Sequence, residues 1–168
     1  MQRIWSSGHR VIRSFNSRGL TLVELAATVA IILILAAIAL PLTRVALQRS
    51  REVELRRALR TIRTAIDQFH EAAMGGLINP REIGDVGQMN YPKDFDQLVE
   101  GVDATVGVGS KLKFLRRVPI DPMMKTDEWG KRSYQDDFDS TLWGRENLYD
   151  VFTESDGVAL DETEYKEW

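Results

Sequence analysis

The chain has 168 residues, no cysteine, two histidines and a formal net charge of −3. This length allows one domain with an additional segment. Without cysteine there is no disulfide framework, no thiolate nucleophile and no cysteine-based metal site.

Charge is distributed unevenly along the chain. Residues 1–19 contain four arginines and no acidic residue, and residues 20–63 contain seven arginines and three glutamates. Residues 64–168 contain 11 basic and 22 acidic residues. A basic start, an apolar run and an acidic body predict a membrane-anchored protein with a translocated head.

The apolar run, residues 25–42, has no charged side chain, and Thr28 is its only polar one. Its 18 residues are about the minimum length for a helix that crosses the ~30 Å hydrocarbon core. Because the basic residues precede the run, we expect residues 1–19 in the cytoplasm and the acidic body outside. A cleavable secretory signal, the alternative, has a shorter apolar core of about 7–15 residues.

Glu24 is an ionisable residue near the start of this apolar segment. A carboxylate inside a membrane costs roughly 2.5–3.5 kcal/mol on insertion scales, and such residues are usually paired and functional. The simpler alternative is a side chain that extends to the membrane interface, one turn into the helix.

A helical pattern continues beyond Pro41. Apolar residues recur at spacings of four and three, which is one face of a helix: Leu55, Leu59, Ile62, Ile66 and Phe69. Met74, followed by two glycines, is the predicted helix end. Pro41 removes a helical hydrogen bond, so we expect a kink or local melting there.

Polar residues occupy the positions that precede this apolar stripe, at Gln48, Arg51 and Glu52. We therefore expect the head to pack on the last third of the helix. The stretch between Pro41 and about Glu54 is expected to be uncovered.

The sequence RGLTLVEL, from Arg18, closely resembles the processing site of type IV pilin-like proteins. The resemblance implies that a prepilin peptidase cleaves between Gly19 and Leu20 and that Leu20 is then N-methylated. It also implies that Glu24 is the fifth residue of the mature chain and Pro41 the twenty-second, positions that carry Glu and commonly Pro in this class. Glu24 of one subunit is then expected to neutralise the Leu20 amine of its neighbour.

Four head motifs resemble, in this order, the major pseudopilin of type II secretion, the G-type subunit: YPKDFDQLVEG, FLRRVPIDP, WGKRSYQ and NLYDVFTESDG. Type IVa pilins usually close this region with a disulfide, which this chain lacks. The chain departs from the G-type pattern in a segment inserted at Met123 to Glu128. Its final loop, TESDGVALDETEYKEW, also has fewer glycines.

The head itself predicts a short helix from Asp94 to Gly101 and two strands, RSYQDD and NLYDVFTE, joined by a loop. The expected fold class is α+β: a long N-terminal helix, transmembrane in its first half, packed against a small antiparallel sheet in a pilin-like fold. We expect a cleaved basic prepilin leader (1–19), a transmembrane or filament-core helix (20–42), an amphipathic continuation (43–74) and an α+β head (75–168). Five aromatic residues are expected in the core or as loop anchors: Trp129, Tyr134, Trp143, Tyr149 and Phe152.

The C-terminal loop is rich in carboxylates, and its density of hard oxygen donors suits Ca²⁺, although the spacing is not that of an EF-hand. On the residues alone, a solvated acidic terminus is the simpler interpretation. The resemblance to G-type pseudopilins implies a calcium site after the last strand. Asp156 and Asp161 would supply its carboxylates, and backbone carbonyls around Thr153 and Ser155 would complete it.

No catalytic constellation is visible. His9 and His70 have no neighbouring nucleophile, and the chain contains no P-loop and no HExxH motif. We therefore expect a protein without enzymatic activity.

The resemblance implies a structural subunit of a secretion pseudopilus that leaves the inner membrane to join a periplasmic filament and drive protein export. Its expected partners are other copies, minor pseudopilins, the inner-membrane secretion platform, prepilin peptidase and membrane lipid before assembly, but no nucleic acid. The seven arginines between Arg44 and Arg63 either meet a neighbour's acidic head or form a solvated helix face. Alternatives are a type IV pilus subunit for adhesion or motility and a membrane-tethered binding domain that never polymerises.

Overall fold

The computed structural model describes residues 19, 21–83, 89–105, 107 and 109–168, without the side chains of residues 38–41. The predicted leader before Gly19, the predicted new N-terminus Leu20 and the side chain of Pro41 lie outside this description. The chain divides into two compact units, Met1–Leu42 and Thr43–Trp168.

Helix α1 spans Leu22–Met74 and is the predicted long N-terminal helix. It is continuous through position 41, so of the kink or local melting predicted at Pro41 the melting is not observed, and the kink stays a prediction. An interior proline removes a single helical hydrogen bond. The bonds on either side of that position are sufficient to keep the backbone helical.

In the part of the first unit whose side chains are described, residues 19, 21–37 and 42, the apolar side chains are exposed. Within α1, an 18-residue window has a mean hydropathy of 2.8, and none of that window is buried. Among the residues described, α1 is the one helix that is long enough and apolar enough to cross a membrane. An exposed apolar surface of this kind marks a site that lipid or another protein covers.

The second unit is built on the apolar stripe of α1, as predicted. The five stripe residues from Leu55 to Phe69 are each at most 2% exposed. They belong to one hydrophobic cluster with buried residues of the head, among them Ile78, Leu98, Val102, Leu148 and Val151. Full burial of one such side chain contributes roughly 1.5–3 kcal/mol, so the stripe is the main attachment of the head.

The end of α1 follows the glycine signal. Gly76 has a φ of 68°, and the amide of Leu77 donates to the carbonyl of Ala72 at 2.9 Å. The amide of Gly76 donates to the carbonyl of Ala73 at 3.0 Å. These two bonds form the Schellman arrangement, in which a glycine adopts the left-handed conformation.

The head contains helix α2, Phe95–Val99, capped by Asp94 as predicted. Strand β1 (Val102–Asp103) pairs with β2 (Lys111–Leu112), and β3 (Gly130–Arg132) pairs with β4 (Asp150–Phe152). Both pairs are antiparallel. The expected single small sheet is thus two separate two-stranded sheets, followed by a C-terminal 3-10 helix, Tyr165–Glu167.

The strand predicted in RSYQDD lies earlier in the chain, at Gly130–Arg132. The carboxylate of Asp136 accepts a hydrogen bond from the amide of Ser133 at 2.7 Å and closes a turn there. Short side chains that bond to a neighbouring backbone favour turns over strands. The Asp136–Ser133 hydrogen bond therefore ends β3 at Arg132, although the alternating sequence pattern continues to residue 137.

The predicted roles of the aromatic residues are confirmed for three of the five. Trp129 and Phe152 are buried in the head, and the indole of Trp143 anchors its loop to the carbonyl of Asn147 at 2.9 Å. Tyr134 and Tyr149 are exposed instead. Their rings contact each other edge to face, with centroids 5.2 Å apart, so they form a surface cluster.

Candidate processing and assembly site

The predicted processing site lies immediately before α1. Gly19 is exposed. The hydroxyl of Thr21 accepts a hydrogen bond from the amide of Glu24 at 3.2 Å, which is one half of a capping box. The Thr-x-x-Glu spacing of the sequence is the signal that could have predicted this cap.

Glu24 lies in the first turn of α1, where the helix dipole favours a negative charge. Its neighbours Leu22, Val23 and Leu25 are exposed apolar side chains. Within the residues described, no salt bridge includes Glu24. A carboxylate among apolar side chains needs a partner once lipid or protein covers that surface.

Most of the helix segment before the apolar stripe is exposed, as predicted, but Gln48 and Glu52 are covered, contrary to the expectation from sequence. Gln48 donates from Nε2 to the carbonyl of Val158 and to the hydroxyl of Tyr165, both at 3.1 Å. Glu52 is only 9% exposed, and its Oε1 accepts from the amide of Leu160 at 2.9 Å and from the Tyr165 hydroxyl at 3.0 Å. Gln48 and Glu52, the polar residues that precede the stripe, therefore bind the C-terminal loop to α1.

Tyr165 is the centre of this contact. Burial raises the pKa of its hydroxyl above the usual 10.0, and the neighbouring Glu52 carboxylate adds to that effect although Gln48 opposes it. The neutral hydroxyl can donate to Glu52 and accept from Gln48 at the same time. Sequence reasoning missed this group because Gln48 and Glu52 look like surface residues. Their spacing of four, in line with the stripe, was the available signal.

Within the residues that the structure describes, two of the seven helix arginines bind acidic side chains of their own chain. Arg63 donates to the Asp150 carboxylate at 2.6 and 3.2 Å and to the main-chain oxygen of Trp168 at 2.6 Å. Arg56 pairs with Asp161 at 3.1 Å, and its guanidinium lies 4.0 Å from the centre of the Trp168 ring. These contacts hold β4 and the C-terminal loop on α1, so both arginines have a partner within their own head.

The predicted calcium ligands have other partners in this structure. Asp156 is exposed and lies 3.6 Å from Lys166, which also pairs with Glu164 at 3.1 Å. The pKa of Asp161 is lowered mainly by hydrogen bonds from Thr163, with a smaller contribution from Arg56. Among residues 19, 21–83, 89–105, 107 and 109–168, no three His, Asp or Glu side chains are grouped to hold a metal. In this arrangement Asp156 and Asp161 are paired with Lys166 and Arg56, and calcium binding stays a prediction.

The remaining two predicted calcium residues are part of a buried junction. The hydroxyl of Thr153 donates to the buried carboxylate of Asp121, and the amide of Ser155 donates to that hydroxyl at 3.2 Å. Asp121 also accepts from the amide of Met123 at 2.7 Å. The sequence predicts a turn at Asp121-Pro122, but sequence reasoning missed that Asp121 links the inserted segment to the end of β4. An aspartate followed by proline is the turn signal that marks it.

Comparison with known proteins identifies one motif. Residues 14–40 match the family model of the prokaryotic N-terminal methylation motif. The match contains Gly19, Leu20 and Glu24, and it supports a type IV pilin-like protein that prepilin peptidase processes and that assembles into filaments. No curated protein and no solved structure matches the chain.

Proposed function

We propose that the chain is a structural subunit of a type II secretion pseudopilus that polymerises through its N-terminal helix and drives protein export across the outer membrane. The observation that carries this proposal is the methylation motif at residues 14–40, which extends into the exposed apolar start of helix α1. The order of the four head motifs and the absence of cysteine support a G-type pseudopilin over a type IV pilus subunit.

The first step is insertion in the inner membrane, with residues 1–19 in the cytoplasm and the head in the periplasm. Prepilin peptidase then cleaves between Gly19 and Leu20, and the new amine is methylated. The apolar part of α1 leaves lipid and packs against the same part of neighbouring subunits. Lipid and the filament core are both apolar environments. Transfer of this helix surface from one to the other therefore requires no new desolvation of polar groups.

Glu24 gives this transfer a defined register. Cleavage creates a positive charge at Leu20, close to the depth of the Glu24 carboxylate of an adjacent subunit. A buried ion pair is much less unfavourable than a lone buried carboxylate. Growth at the membrane, on the secretion platform and with minor pseudopilins, would push exported proteins outward. A heterologous contact that does not close into a ring is what builds a filament.

The experiment is deletion of the gene in the bacterium that encodes the chain, followed by complementation. Loss of exported proteins from the medium, restored by the wild-type gene, supports the pseudopilus. Normal export with loss of surface fibres or twitching would instead assign the chain to a type IV pilus. Normal export without cleavage after Gly19 would indicate a tethered domain that does not polymerise.

A further inference from the structure

A groove of about 630 Å³ runs along the exposed face of α1 beside the segment that contains Phe114 and Leu115. Val53, which is 55% exposed, and the half-buried Phe114 give it an apolar floor. Its charged lining residues are all arginines: Arg56, Arg57 and Arg60. The groove therefore combines an apolar floor with a positive rim.

Among the described residues, two of these three arginines form no salt bridge. Arg56 pairs with Asp161. Arg57 and Arg60 are exposed, and neither takes part in a salt bridge within the part of the chain that the structure describes. A groove with free guanidinium groups beside an apolar floor suits a ligand that presents carboxylates next to an apolar anchor.

The head presents such a group on a different surface. Phe138 is 90% exposed and lies between the exposed Asp137 and Asp139. Neither aspartate forms a salt bridge within the described residues. A phenylalanine that is almost fully exposed, between two free carboxylates, is a large apolar side chain without a partner in its own head.

The loop that carries Phe138 is held in place. The amide of Ser140 donates to the carbonyl of Asp137 at 3.0 Å, which closes a turn around the phenylalanine. Arg132 donates to the carbonyl of Ser140 at 2.8 Å, and Asp136 accepts from the amide of Gly144 at 3.1 Å. A fixed loop loses little conformational entropy when it binds, so this anchor is preorganised.

We propose that the Phe138 loop of one copy docks in the arginine groove of the next copy. Phe138 packs on Val53 and Phe114, and Asp137 and Asp139 face Arg57 and Arg60. Phe138 cannot occupy its own groove in this conformation, since it is exposed. The two surfaces differ, so the contact is heterologous and repeats from copy to copy. The inference rests on the proposed function and names the head contact within that filament.

The test is chemical cross-linking of the full-length chain in membranes. Since the chain has no cysteine, each introduced thiol is unique. Thr64 lines the groove, and Thr141 lies next to the Phe138 loop; both are exposed. Copies with Thr64→Cys, mixed with copies with Thr141→Cys, are expected to give covalent dimers with a short bis-maleimide. The matched control replaces Thr64→Cys with Thr105→Cys, an exposed threonine outside the groove.

Further substitutions test the apolar part and the charged part of the contact separately. Phe138→Ser is expected to reduce the dimer at least tenfold. Arg57→Glu with Arg60→Glu is expected to do the same, and Asp137→Lys with Asp139→Lys in the partner copy is expected to restore it. All of these side chains are exposed, so the fold of the head is unaffected.

The outcomes separate the two proposals. Dimer formation no higher than with the Thr105→Cys control, or dimer yield unchanged by Phe138→Ser, overturns the head contact. Attachment of Thr64→Cys to a different protein overturns the choice of a second copy. Filaments without the specific cross-link contradict this contact alone. The cross-link without filaments or export supports the contact and contradicts the proposed function.

Discussion

Glu24 is the residue at which the proposed processing and the proposed assembly meet. Its amide is capped by Thr21, its carboxylate lies in the first turn of α1, and its apolar neighbours are exposed. The sequence was sufficient to identify it, because an ionisable residue stands out in an uncharged run. The cap is a second, local role that the Thr-x-x-Glu spacing encodes. Its proposed partner, the amine of Leu20 in a neighbouring copy, lies outside the described residues.

Substitution of Glu24→Leu is expected to lower filament yield at least tenfold while leaving insertion and cleavage intact. Loss of one member of a buried ion pair leaves the other charge uncompensated and costs about 3–5 kcal/mol. Sheared filaments and total subunit are measured by immunoblot. Thr28→Val is the control in the same segment and should assemble normally. Normal filament yield with Glu24→Leu would remove the pairing role.

Asp161 predicts how the C-terminal loop responds to acid. Its folded pKa is lowered below 3.8 by Thr163 and Arg56, so its contribution to stability is present above that value. The contribution is lost as the pH falls from 3.8 through the folded pKa. Asp161→Asn should therefore weaken the pH dependence of the thermal midpoint in that range, whereas the exposed neighbour Glu162→Gln should not. Identical acid profiles for wild type and Asp161→Asn would contradict this role.

Calcium is the residue-scale prediction that comes only from the resemblance to G-type pseudopilins. If Asp156 and Asp161 bind it, addition of Ca²⁺ to the full chain in detergent raises the thermal midpoint. Asp156→Ala removes that rise, whereas Glu154→Ala, an exposed control, retains it. In this structure Lys166 and Arg56 already bind these carboxylates. A midpoint that is insensitive to Ca²⁺ would reject the site.

At the scale of elements, helix α1 and its end were predictable, and the attachment of the C-terminal loop was not. The stripe from Leu55 to Phe69 has a strict helical period, and Gly76 supplies the left-handed cap. Gln48 and Glu52 continue the same helix face at a spacing of four, but their side chains are polar, and hydrogen bonds between residues distant in sequence leave no periodicity that identifies the C-terminal loop as their partner. The two-residue strands β1 and β2 are also too short to show alternation.

Because Glu52 binds the C-terminal loop and Glu54 is exposed, their replacement by alanine is expected to change the free energy of unfolding by different amounts. Glu52→Ala leaves the amide of Leu160 and the hydroxyl of Tyr165 without their acceptor. A hydrogen bond to a charged group contributes about 1.5–3 kcal/mol, so a loss of at least this size is expected. Glu54→Ala, at an exposed position, should change stability by less than about 0.5 kcal/mol. Denaturant unfolding of both variants measures the difference, and equal stabilities would contradict the attachment.

At the scale of the whole molecule, the two units have different tasks. The first unit offers an apolar helix with a single carboxylate at its start, and the second unit holds its own C-terminal loop with Gln48, Glu52, Arg56 and Arg63. The proposed filament joins the first units through their apolar surfaces and the heads through the arginine groove. The motif at residues 14–40 supports the pilin-like part of this account.

The most direct measurement of the central claim is the mass and N-terminal sequence of the subunit in filaments sheared from cells that produce the chain. The account predicts filaments whose subunit begins at Leu20 and carries one added methyl group. A subunit that retains residues 1–19, or a chain cleaved at that site that never forms filaments, would contradict it.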